Sequence, residues 1–180
     1  MATLGFMTKW PKEMGGGNTE FIPKIWDGII KHYRLDLGDL QEYENEAYSK
    51  FDTKGLDLFD TDYKNIHPKL HTIRYDPNNR WKTGMKIHMV IFNRSKNRFQ
   101  FAPILECKSV QEIQINQCNV WYPEIQTHKR RGEIFIDEKI IEPCQYRSIA
   151  LNDGFESVKH FFQYFNTNTL PGTKIINWTD

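Results

Sequence analysis

The chain has 180 residues, of which 39% are hydrophobic and 26% charged, with a formal net charge of +1. That length and balance fit one globular domain over residues 1–180 that buries its own core. A net charge near zero excludes a global field that would draw the protein onto nucleic acid, so any such contact must rest on a local patch.

Residues 3–9 read as a first strand, broken at Trp10-Pro11. Gly15-Gly16-Gly17 follows without the Lys-Ser/Thr of a phosphate-binding loop and is expected to be a connector. Residues 19–33 have helical spacing, with Asn18 or Thr19 as cap and Pro23 tolerated early in the helix. Phe21, Ile25 and Ile29, with Ile22, Trp26 and Tyr33, form one broad apolar face, and Asp27 and Lys31 a solvent pair. Residues 35–66 are acidic and read as an insertion. In it, Asp39 and Glu42 have capping-box spacing, Leu40, Tyr43, Ala47 and Phe51 recur at helical spacing, and Gly55 is a natural stop.

After Gly84 the period becomes two: Met85, Ile87, Met89 and Ile91 share one strand face, and His88, Val90 and Phe92 the other. Both faces are partly apolar, as in a barrel wall or a covered sheet. Residues 93–97 form a polar hairpin loop, and the returning strand runs from Phe99 through a bend at Pro103 to Ile115. Residues 119–122 and 133–141 are expected to pair around a basic loop, Thr127-His128-Lys129-Arg130-Arg131. Such loops are commonly just solvated, though this one also suits nucleic acid. A last helix is expected from Asn152-Asp153, facing the core with Phe155, Val158, Phe162 and Phe165, before a final strand at 173–178. Many strands with a few helices, not alternating as βαβ, predict an α+β fold with a mixed or closed sheet.

Residues 69–84, KLHTIRYDPNNRWKTG, concentrate the chemistry. Lys69, Thr72 and Arg74 place a cation, a hydroxyl and a guanidinium within six positions. In a regular strand Lys69 points away from Thr72, so a shared site requires the backbone to turn between them, and Pro68 makes that junction plausible. Two chemistries follow if they converge. Lys69 and Arg74 hold a phosphate or base oxygen, or Lys69, with its pKa lowered by burial or a neighbouring cation, activates Thr72 as a nucleophile. The plainer alternative is two surface charges and a strand filler. Trp81-Lys82-Thr83-Gly84 reads first as a turn.

Lys69-x-x-Thr72-Ile73-Arg74 followed by Trp81-Lys82-Thr83-Gly84 resembles the signature of the ASCH domain, in the PUA-like group. Trp26-Asp27-Gly28 fits the helix end that precedes it, and residues 150–155, ALNDGF, a second signature. The resemblance implies a PUA-like mixed β-barrel of about five or six strands with flanking helices, here with a helical acidic insertion at about 35–66. It also implies a cleft suited to RNA or a nucleoside. Some small bacterial members hydrolyse the amide of acetylated cytidine with a lysine base, a threonine nucleophile and a glutamate acid. Lys69 and Thr72 match the first two, and Asp153 stands in place of the glutamate. Asp153 and Glu156 also have capping-box spacing.

Three functions are therefore carried forward. The first is an RNA- or nucleoside-binding domain, with Lys69, Thr72, Arg74, Trp81 and Lys82 as ligand contacts. The second is an amidohydrolase of an acylated nucleobase, with Lys69, Thr72 and Asp153 as catalytic residues. The third is a protein partner for the acidic insertion. No cofactor is implied. No metal site is expected either, because His67 and His71 straddle Pro68 and the other histidines are scattered. Cys107, Cys118 and Cys144 form no CxxC pair and read as free thiols in a reducing compartment. There is no apolar run of membrane-spanning length, and the first residues lack a signal peptide's pattern, so a cytoplasmic protein without membrane contact is expected.

Overall fold

The computed structural model describes residues 2–52, 57–59, 66–122, 124 and 126–179. Strands β1 (Ala2–Phe6), β3 (Lys86–Ile91), β4 (Phe99–Gln100) and β5 (Leu105–Glu106) form one sheet. Strands β2 (His71–Tyr75), β6 (Ser109–Tyr122), β7 (Thr127–Ile136), β8 (Lys139–Ile140) and β9 (Thr173–Asn177) form a second, in the order β2-β9-β6-β7-β8. Four α-helices accompany them among the described residues: α1 (Phe21–His32), α2 (Leu37–Phe51), α3 (Tyr146–Asn152) and α4 (Val158–Tyr164). The fold is α+β, and its hydrogen-bonded strands make two sheets rather than one closed ring. No helix among the described residues is long and apolar enough to cross a membrane.

β3 occupies the middle of the first sheet because both of its faces are apolar. It pairs in parallel with β1, from Ala2 opposite Ile87 to Phe6 opposite Ile91, and antiparallel with β4 and β5 on the other side. Ile87, Met89, Val90 and Ile91 are wholly buried, as expected for a strand covered on both faces. β2 pairs antiparallel with β9 throughout, with Thr72 opposite Ile176 and Arg74 opposite Lys174. That pairing fixes the register of the candidate site.

α1 is buried along its first nine residues, Lys24 and Asp27 included. Its Trp26 indole donates to the Phe101 carbonyl at 2.8 Å, tying the helix to the first sheet. Gly28 is not the end of the helix, which runs on to His32. Its value is close packing: a Cβ there would lie 3.0 Å from Leu70 and 3.2 Å from the Lys69 carbonyl oxygen. The missing side chain lets residues 68–70 lie on α1, where the Lys69 N–H donates to the Lys24 carbonyl at 2.9 Å. The Asp27–Lys31 pair forms at 2.7 Å, but Asp27 is buried and only Lys31 meets solvent.

The acidic segment contributes α2, capped one turn earlier than expected. Asp36 and Asp39 form the reciprocal capping box, not Asp39 and Glu42. The Leu40–Tyr43–Ala47–Phe51 face packs inward as its spacing requires. Tyr43 lies on Trp26 at 5.4 Å, and Phe51 meets Phe92 and Phe99. Gly55 lies outside the described residues.

Two further expectations are corrected. The basic run at 127–131 is not a loop: it forms the start of β7 and pairs with β6 from Tyr122 opposite Thr127 to Cys118 opposite Arg131. β6 itself is one long strand from Ser109, separated from β5 by Cys107 and Lys108. The last helix also starts later. Asp153 closes α3, Gly154 takes φ +89, and α4 begins after Ser157, whose hydroxyl accepts the His160 N–H. Phe155 is buried between the two helices, and Phe161, not Phe162, is the wholly buried ring of α4.

Candidate functional site

The chain enters β2 from an extended segment, not from a regular strand. Lys69 precedes the first paired residue, His71, and is anchored through its N–H to α1. Leu70 donates its N–H to the Asn152 carbonyl at 2.8 Å, which holds the α3 end against the same segment. Held at these two points outside the strand, Lys69 is released from the strand's alternation and reaches the same side as Thr72. Both line a narrow cleft with Arg74 and Asp153, walled by Trp10, Phe21 and Phe155.

Lys69 is 1% exposed, and its Nζ lies 2.5 Å from Asp153 Oδ1 and also donates to the Asp153 carbonyl oxygen. The ammonium sits 4.6 Å from the centre of the Phe21 ring. Burial pushes the Lys69 pKa down to about 8 against the opposing pull of Asp153, with Arg74 and Lys24 adding to the depression. Burial raises the Asp153 carboxyl, while Lys69, Arg74 and the Ile73 backbone pull it back. Thr72 is 3% exposed.

Arg74 donates from Nη2 to the Gly5 carbonyl at 2.7 Å, and its guanidinium carbon lies 5.3 Å from the Phe6 ring centre. Its Nε is buried with no hydrogen-bond partner. His71 points to the other face of β2, is buried, and has its pKa pushed down to about 3 by burial and by Lys69.

Trp81 and Lys82 stand apart from this group. Trp81 is buried in the core and its N–H donates to Asp76 Oδ2 at 2.9 Å, which stabilises the 76–81 loop. Lys82 is exposed, in the turn closed by the Met85 N–H to its carbonyl, and neither residue lines the cleft. Asp153 caps no helix N-terminus; it belongs to the cleft.

Lys24 does not line the cleft, but it is a buried neighbour of Lys69 that the sequence reading missed. Its Nζ donates to the Gly154 carbonyl at 3.0 Å and lies 3.6 Å from Glu20, and burial lowers its pKa. A lysine between Pro23 and Ile25 reads as a solvated helix position. Only the covering of α1 by residues 68–70 and 153–155 buries it.

The cleft is small, about 20 Å³, which is room for roughly one water. Its half-exposed residues Met7, Arg74, Tyr164 and Phe165 are the ones that would move to admit anything larger. Among the described residues there is no cluster of His, Cys, Asp or Glu that could hold a metal ion. No family model, curated protein or solved structure matches the chain.

Proposed function

We propose that the two sheets and their helices are an open, ASCH-type relative of the PUA-like barrel, and that the Lys69–Arg74 cleft binds a modified nucleoside or an RNA base. The observation that carries this reading is the convergence of Lys69, Thr72, Arg74 and Asp153 on one cleft with aromatic walls. Cations and a hydroxyl offer donors to base oxygens, and Trp10, Phe21 and Phe155 offer apolar surface to a ring. The ASCH likeness rests on the residues quoted from the sequence, of which Lys69, Thr72, Ile73, Arg74, Asp153 and Phe155 line this cleft. Calorimetry with cytidine, N4-acetylcytidine and a short single-stranded RNA tests it. Binding by wild type that is weakened about tenfold or more in Thr72→Val supports the reading. No detectable binding of any of the three at low salt contradicts it.

A second reading, amide hydrolysis, is favoured by the depressed Lys69 pKa beside Thr72. With a pKa near 8, roughly one tenth of Lys69 is the free amine at pH 7. The amine would take the Thr72 hydroxyl proton as Oγ1 attacks the acyl carbonyl of N4-acetylcytidine. The carbon–nitrogen bond breaks as the leaving nitrogen gains a proton from the Lys69–Asp153 pair. Water then releases acetate and restores the threonine. Chromatography of N4-acetylcytidine incubated with wild type and with Thr72→Val tests this. Cytidine released by wild type alone supports the reading; release by neither, or by both equally, removes it.

A further inference from the structure

The charges around the cleft do not balance. Lys69 and Arg74 line it, with Lys24 close to Lys69, and Lys69 and Arg74 share one buried carboxylate, Asp153. Lys24 has Glu20 at 3.6 Å and Glu156 nearby, both exposed to solvent. Tyr164, half-buried on the rim, is the remaining titratable group beside Arg74. Arg74 therefore has a carbonyl on one terminal nitrogen, an aromatic face at its carbon and a buried, unpartnered Nε. The buried Nε donor without an acceptor is costly, and a partly buried guanidinium without a carboxylate of its own adds to the cost. The group that removes both costs is an oxyanion, which a guanidinium takes with two donors at once. A neutral nucleoside supplies only dipoles.

We infer that the natural ligand of this cleft carries a phosphate, and that Arg74 is the residue that selects it: the cleft takes a nucleotide in preference to the corresponding nucleoside. The nucleoside half of this rests on the proposed binding role; the anionic half rests on the guanidinium's unpartnered Nε and its lack of a carboxylate of its own. A phosphate does not fit into about 20 Å³. It enters as Arg74 and its half-exposed neighbours Met7, Tyr164 and Phe165 move outward, and Arg74 gains the partner it lacks.

Calorimetry at fixed ionic strength with cytidine, cytidine 5′-monophosphate, inorganic phosphate and acetate tests this. Wild type is expected to bind the monophosphate at least about tenfold more tightly than cytidine. Inorganic phosphate should compete with it, and acetate should compete more weakly. Arg74→Gln should bring the monophosphate to within about twofold of that variant's own affinity for cytidine. Arg74→Lys, which keeps the charge and loses the planar fork, should fall between the two. Equal affinity for nucleoside and monophosphate in wild type overturns the inference whatever the variants do, and so does a preference that survives in Arg74→Gln. If phosphate binds through Arg74 and neither cytidine compound does, the anion site stands and the nucleoside reading falls. If cytidine binds with no gain from phosphate, the reverse holds. No binding by any of the four ends both.

Discussion

Lys69 and Asp153, 84 positions apart in the chain, form an ion pair at 2.5 Å in which the two side chains are 1% and 5% exposed. A pair so far from water offers weak net stabilisation, yet removing one partner strands the other. Asp153→Ala is therefore expected to lower the unfolding free energy by about 3 kcal/mol or more. The double variant Lys69→Met/Asp153→Leu should recover most of that loss. Urea denaturation of Lys69→Met, Asp153→Leu and the double variant measures the coupling; purely additive losses would contradict the pairing.

Gly154 follows Asp153 and packs closely against Lys69 and Phe21. Its φ is +89, and a Cβ there would lie 2.8 Å from the Phe21 ring and 3.0 Å from Lys69 Cδ. Gly154→Ala combines left-handed strain with overpacking against the site and should cost about 2 to 4 kcal/mol. It should also weaken ligand binding, since Lys69 cannot stay where it is. A variant as stable as wild type, with binding intact, would refute this geometry.

His71 makes the fold sensitive to acid. Its pKa is about 3 in the folded protein and about 6.5 in the unfolded chain. Between those values the unfolded chain binds the proton and the folded protein does not, so stability rises with pH through that window and falls on acidification. Relative to pH 7, the loss at pH 4.5 from this group is about 3 kcal/mol. His71→Gln should remove that part of the pH slope. A wild-type slope between pH 7 and pH 4.5 no steeper than the variant's would contradict a buried neutral imidazole.

Thr72 separates function from folding. Thr72→Val keeps the β-branched shape that suits β2 and replaces only the hydroxyl in the cleft. Its stability should stay within about 1 kcal/mol of wild type. Ligand affinity, or turnover of N4-acetylcytidine, should drop at least about tenfold. A thermal melt beside a binding isotherm measures both. Unchanged binding would mean that the hydroxyl is a strand filler.

Much of this arrangement was legible in the residues, and the rest was hidden for physical reasons. The alternation from Met85 to Ile91 located β3 and its two covered faces. Lys69, Thr72 and Arg74 could be named because their chemistry is dense, and Asp153 because of the second signature. Lys24 gave no signal: its place on an amphipathic helix predicts solvent, and its burial is decided by segments far away in sequence. The basic run at 127–131 read as a loop because it has no apolar alternation. A ribbon paired mainly to one neighbour needs none at its outer end, where residues 127, 128 and 131 are exposed. The capping box slipped by one turn because Asp36–Asp39 and Asp39–Glu42 have the same spacing. Trp81 and Lys82 sit close to Arg74 in sequence, but the 76–81 loop turns away from the cleft, held by Asp76.

The central claim is that the Lys69–Arg74 cleft is the ligand site, and an amide-resolved NMR titration with cytidine 5′-monophosphate tests it most directly. The account predicts saturable shifts concentrated at Thr72, Ile73, Arg74, Asp153 and Gly154, with His128 and Arg131 unmoved. Shifts confined to the β7 segment, or none at millimolar ligand, would contradict it.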